Sequence, residues 1–247
     1  MGMIALMPPA FLRAEAPAPI DGGFSLVILP DTQIYAWKYP ATYPVQTQWI
    51  ADNAERYGIK YALHVGDITH HDTEVQWQVA AQAHALMDGS VPCAISVGNH
   101  DLAPRGQAHS RDSGFSEFFP AESFKQWPTF GGVYDQEPDR SENNFHLFEA
   151  GGRKWLILAL EFLPRDDVLR WANEVTARHP DRSVILVTHA YLRTDNDRYD
   201  RNILIEETET KPASNKGLDG YGKHLVDFGG FNDGEDMWQK LVSKHRN

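Results

Sequence analysis

Four short apolar runs in this chain each stop at a residue able to bind a cation or a phosphoryl group. That pattern limits what the chain can fold into. Residues 24–29 (FSLVIL) run into Pro30-Asp31-Thr32-Gln33, and residues 61–65 (YALHV) run into Gly66-Asp67-Ile68-Thr69-His70-His71. Residues 91–97 run into Gly98-Asn99-His100-Asp101, and residues 183–187 (SVILV) into Thr188-His189. Apolar runs of this length between turn formers read as buried strands. Open α/β sheets build their crevice at strand C-terminal edges. One Asp or Asn after a strand is an ordinary turn residue. Four endings rich in oxygen and nitrogen donors point instead to a metal or phosphoryl site. The densest is Asn99-His100-Asp101, entered through Gly98, which has no Cβ to oppose a sharp turn.

The segments between these runs alternate in kind. Residues 42–56 read as a helix, with Thr42 as cap, Pro44 in its first turn, Val45, Trp49, Ile50 and Ala54 as an apolar stripe, and Gly58 at its end. Residues 74–87 read as another, capped by Asp72 or Thr73, with Val75, Val79, Ala83 and Leu86 on one face. The result is βαβαβ, hence a parallel sheet with right-handed crossovers. Residues 30–41 read as an aromatic loop carrying Tyr35, Trp37 and Tyr39. Residues 103–143 hold many aromatics without a period and read as a partly ordered insertion beside the site. Residues 145–149 and 154–160 flank Gly151-Gly152 and read as a hairpin that begins a second sheet. Residues 166–178 read as a helix with Val168, Leu169, Ala172 and Val175 inward, and residues 190–232 as a second long loop. Residues 236–244 read as a last helix with Met237, Trp238, Leu241 and Val242 as core positions.

Taken in order, Asp31-x-Gln33, Gly66-Asp67, Gly98-Asn99-His100-Asp101 and His189 resemble the calcineurin-like metallophosphoesterase superfamily. That family carries D-x-H, G-D-x-x, G-N-H-[DE], a lone His after a strand, and a final G-H-x-H. The resemblance implies an α/β fold, a two-sheet αββα sandwich of mixed sheets flanked by helices. It implies hydrolysis of a phosphomonoester or phosphodiester by water activated between two divalent metal ions (Mn, Fe, Zn, Co or Mg), without fixing the substrate, which is expected to be a small molecule. Asp67 matches the bridging carboxylate, Asp31 and Gln33 match ligands of the first metal, and Asn99 and His189 match ligands of the second. His100 matches the residue that binds the phosphoryl oxygen and protonates the leaving group. Asp101 either orients that imidazole or caps the turn.

Two departures stand out. Gln33 replaces the usual His, and an amide oxygen is a weaker ligand than imidazole for most first-row metals. The final G-H-x-H is missing from a chain that stops at Lys244-His245-Arg246-Asn247, so the expectation is a domain truncated at its C-terminus. His224, His70 and His71 are candidate substitutes. His70 and His71, beside the Gly66-Asp67 turn, are also candidate substrate-binding residues. Arg193 and Tyr191, in the loop that also holds Arg198 and Arg201, are others. The remaining histidines read as structural or surface residues. The same departures allow an alternative, a metal-poor phosphoesterase fold used for binding or assembly. They also allow a site completed by another chain, hence a dimer or higher oligomer.

Bulk properties narrow the partners. The chain has 23 Lys and Arg against 34 Asp and Glu, for a net charge of −11. Clustered basic residues dominate affinity for phosphate backbones, so nucleic acid is not expected as the main partner. No run approaches the ~20 apolar residues of a membrane span. Residues 1–22 are Pro- and Ala-rich and read as a disordered arm or signal remnant before one domain at 23–247. Ala14-Glu15-Ala16 resembles a signal-peptidase site without a basic n-region, which slightly favours a periplasmic or secreted location over the cytoplasm. Cys93 is the single cysteine and reads as a small buried hydrophobe.

Overall fold

The structure is a computed structural model and describes residues 22–106, 108, 110–193, 195–200 and 230–246. The N-terminal arm, Arg201 and His224 lie outside the described residues. Strands β1 (Ser25–Leu29), β2 (Ile59–His64) and β3 (Cys93–Ile95) form a three-stranded parallel sheet in the order β1-β2-β3. Strands β4 (Phe130–Val133), β5 (Asn144–Ala150), β6 (Arg153–Ala159) and β7 (Ser183–Val187) form a second sheet. Its first three strands run antiparallel and β7 pairs parallel with β6, so the second sheet is mixed while the first is parallel.

The period-two alternation of strand side chains builds the layers. Tyr61 and Leu63 of β2 meet Ile157 and Ala159 of β6, Phe148 of β5 and Val187 of β7 between the sheets. The intervening residues Leu156 and Leu158 point the other way, onto Val168, Leu169, Ala172 and Val175 of helix α6 (Asp166–Arg178). Met237 and Leu241, on and just after helix α7 (Gly234–Lys240), join that outer core. On the far side, Leu29, Ile59 and Ala62 pack against Ile50 of helix α2 (Tyr43–Asp52) and Met87 after helix α3 (Glu74–Ala85). The order is therefore helices, parallel sheet, mixed sheet, helices, which is the expected αββα sandwich. No helix among the described residues is long and apolar enough to cross a membrane.

The hairpin, helix α6 and strand β7 form where their periodicity placed them. Gly151 and Gly152 turn the hairpin with φ of 58° and 70°, values costly for other residues. Several expectations are corrected. Residues 30–41 contain a short helix, α1 (Gln33–Lys38), rather than only loop. In α2 the buried residues are Tyr43, Thr47 and Ile50, while Val45 and Trp49 face solvent. In α3 they are Gln76, Trp77, Ala80, Ala83 and His84, while Val75 and Leu86 are exposed. The reason is a polar contact inside the helix layer: Tyr43 Oη lies 2.9 Å from His84 Nε2 and accepts from Thr32 Oγ1 at 2.8 Å. A buried hydroxyl must be paired, and this pairing turns both helices. Asp72 does not cap α3; its Oδ1 accepts from Trp77 Nε1 and from Gly114 N. In the last helix Trp238 lies on the surface over Arg198, and Asp233 caps the N-terminus by accepting from Asp236 N.

The 103–143 insertion is partly ordered, with helices α4 (Phe115–Phe118) and α5 (Ala121–Phe124) leading into β4. Glu161 after β6 anchors it to the second sheet: it pairs with Arg111 at 3.1 Å and accepts from Asn143 Nδ2 at 3.0 Å.

Candidate metal centre

The site forms where β1, β2, β3 and β7 end. Asp31 and Asp67 both have left-handed backbones, with φ of 36° and 52°. Such conformations cost energy in non-glycine residues and concentrate at functional sites. They turn both carboxylates toward His189, which follows β7. One ligand atom from each of Asp31, Asp67 and His189 lies within 4.8 Å of the others. The glycines before Asp67 and Asn99 have a steric reason. A Cβ on Gly66 would sit 2.7 Å from Gly98 N and 2.9 Å from His189 Nδ1, and a Cβ on Gly98 would overlap Asp67.

Hydrogen bonds fix the donors. His189 Nδ1 donates to the Val65 carbonyl at 2.9 Å, which leaves the Nε2 lone pair facing Asp67 Oδ1 at 3.4 Å. Metal-ligating histidines are held in this way, with the second ring nitrogen donated to a carbonyl. Asp67 Oδ1 also accepts from His100 N at 3.0 Å, and Gln33 N donates to the Asp67 carbonyl at 2.8 Å. Desolvation raises the Asp31 carboxyl above its usual range; the neighbouring His189 opposes that rise and the Asp67 charge adds to it. Two carboxylates converging on one nitrogen lone pair repel one another unless a cation lies between them, so this donor set fits a divalent metal.

Gln33 lines the same cleft, its Oε1 3.2 Å from His70 Nδ1. Asn99 is buried in the turn after Gly98 but is not in the wall of the cleft, and its Nδ2 donates to the Gly106 carbonyl at 3.1 Å. His100 faces the cleft with its Nδ1 donating to the His70 carbonyl at 3.0 Å. That bond corrects one expectation, because no Asp101 carboxylate bond to the His100 imidazole is present among the described residues. Asp101 is fully buried and works as a clamp between turns. It accepts from Ile68 N and Thr69 N after β2, from Thr69 Oγ1, and from Gly98 N after β3, at 2.7 to 3.1 Å. Burial and then the Asp67 charge push its carboxyl up to about 7, against the pull of these donors.

The cleft has a volume of about 410 Å³, and its remaining wall is Val65, Ala190, Leu192 and Tyr199. Leu192 forms an isolated antiparallel bridge with Arg198. Ala190 and Leu192 face the cleft, and Tyr191 and Arg193 are not in its wall. Tyr191 packs against the core beneath α6, and Arg193 pairs with Asp195 at 3.0 Å. Arg198 pairs with Glu235 at 2.6 Å. Of the expected substrate contacts, Tyr191 and Arg193 thus have other partners, and Leu192 is the residue of this segment that lines the cleft without having been expected there. His70 stacks on His100 with ring centroids 4.6 Å apart, and His71 meets Trp37 edge-on at 5.1 Å.

An αββα sandwich with carboxylate and imidazole donors where its strands end defines a structural class. The comparison with known families places the chain within it. A family model described as calcineurin-like phosphoesterase matches residues 24–221, and the chain belongs to that family. Over 199 residues it is 30% identical to an uncharacterized protein of Bacillus subtilis (strain 168), YvnB. That match covers 80% of this chain and 15% of YvnB, so the chain spans a small part of that relative's length.

Proposed function

We propose that this chain hydrolyses a small phosphoester, mono- or diester, with water activated at a centre of two divalent cations. The observation that carries the reading is the convergence of Asp31, Asp67 and His189 within 4.8 Å, with the His189 tautomer set by Val65. A bound divalent cation supplies Lewis acidity at the phosphoryl oxygen and lowers the pKa of water. Asp67 would be shared between the cations, with Asp31 holding one and Asn99 and His189 the other. In its imidazolium form His100 would donate the Nε2 proton to the leaving oxygen, its Nδ1 proton being engaged with the His70 carbonyl. Leu192 and Tyr199 suit an apolar group on the ester.

The test is hydrolysis of an aryl phosphomonoester and an aryl phosphodiester after chelation and after Mn²⁺ is restored. Turnover of at least one ester that vanishes on chelation and returns with Mn²⁺ supports the reading. Turnover indifferent to chelation, or none on either ester with metal present, overturns it.

A further inference from the structure

His70 follows Asp67 by three residues, yet it is not in the wall of the cleft and its contacts run to other side chains. Its ring lies flat between two others. Trp37 stacks on one face at 4.5 Å and 15°, and His100 on the other at 4.6 Å and 19°. Its carbonyl accepts from His100 Nδ1, and its own Nδ1 lies 3.2 Å from Gln33 Oε1. An amide oxygen can only accept, so the contact places a hydrogen on His70 Nδ1. Lys38 Nζ caps the outer end of the stack, 4.0 Å over the Trp37 ring. His100 is therefore held twice by one residue. The carbonyl bond fixes which nitrogen faces the cleft, and the stacked ring fixes the plane in which it lies.

We infer that His70 is a positioning residue that holds the His100 imidazole in line for proton donation, and that Gln33 and Trp37 hold His70. The inference rests on the proposed role of His100 as the acid. It gives Gln33 a task other than ligation: the side chain at the position of the family's histidine ligand anchors the stack. A ring left to rotate about its outer bonds spends less time aligned with the leaving oxygen. The loss appears in the bond-breaking step rather than in binding.

The test compares p-nitrophenyl and phenyl esters of the same phosphate in the full chain with Mn²⁺. Nitrophenolate leaves without help, whereas phenolate needs the acid. His70→Ala is expected to lose about tenfold more kcat on the phenyl ester than on the nitrophenyl ester, with KM changed less than about twofold. His70→Phe keeps a stacking ring and is expected to recover most of that difference. Gln33→Leu is expected to keep wild-type bound metal while showing the selective loss. His100→Ala reports on the underlying reading. If it is not selective for the phenyl ester, His100 is not the acid and the reading falls together with this inference. If His100→Ala is selective but His70→Ala loses both esters equally, or loses them through KM, only the positioning role is overturned. A His70→Phe variant no better than His70→Ala, or loss of metal in Gln33→Leu, also counts against it.

Discussion

Replacing Asp101 by Asn separates a clamp from a catalytic partner. Both oxygens of the native carboxylate accept, from three backbone N–H groups and the Thr69 hydroxyl. An Asn of the same shape offers one acceptor oxygen, enough for two of these donors, and turns an NH₂ toward the others. Two buried donors then lose their partners. At ~1–3 kcal/mol for each unsatisfied buried group, the expected cost is roughly 2–6 kcal/mol. In a chain of this size each kcal/mol lowers Tm by about 2–4 °C, so Asp101→Asn should melt on the order of 10 °C below the wild type. Urea unfolding followed by tryptophan fluorescence measures it, with an unchanged m-value marking a pure stability effect. Because the clamp ties the turn carrying Asp67 to the turn carrying Asn99, metal affinity should fall as well. A loss of stability under ~1 kcal/mol, with turnover nevertheless abolished, would refute the reasoning, because Asp101 would then act on the chemistry and not on the turns.

Three further outcomes follow from the same geometry. Burial lowers the His84 pKa from its ordinary 6.5 to about 4 and that of His146 to about 3, so the unfolded chain takes up protons that these rings refuse. Their contribution is intact above pH 6.5 and shrinks as pH falls toward 4, by about 1.4 kcal/mol per histidine per pH unit; urea midpoints equal at pH 7 and pH 5 would contradict this. Gly98→Ala would drive a Cβ into the Asp67 carboxylate and amide, and is expected to weaken Mn²⁺ binding at least ~10-fold, read by titration calorimetry. Glu161→Ala removes the buried carboxylate that pairs with Arg111 at 3.1 Å and Arg165 at 2.9 Å, and should cost about 3–5 kcal/mol in chemical denaturation.

Elements whose burial follows one simple period were legible in the sequence. Strand β7, helix α6 and the hairpin around Gly151-Gly152 fall where alternation, a 3.6-residue stripe and paired glycines put them. The α2 and α3 faces were not legible, because Tyr43 and His84 bury polar tips against each other and so override the stripe of Val45, Trp49, Val75 and Leu86. Helix α1 is short and lies between Pro30 and Pro40, with no side-chain cap to announce it. Strand β4 hides its pattern in Gly131 and Gly132; a Cβ on Gly131 would overlap the Phe145 ring, so glycine is required where a strand reading looks for a branched side chain.

At the candidate site, the donors came from turns directly after strands, which a linear reading can locate. The structure brings Asp31, Asp67 and His189 together. It places Gln33 and His100 beside them in the cleft, and puts Tyr191 and Arg193 elsewhere. What the sequence could not supply was which side chains after His189 face the cleft and the partner of His100. Both depend on contacts between distant parts of the chain.

The central claim is that Asp31, Asp67 and His189 hold the cations on which hydrolysis depends. Elemental analysis of the wild type and of His189→Ala after loading with Mn²⁺ and desalting, with turnover measured on the same samples, tests it most directly. The account predicts about two cations per wild-type chain, with metal and turnover falling together in the variant. A wild type that turns over without bound metal, or a His189→Ala protein that keeps both its full metal and its rate, would contradict it.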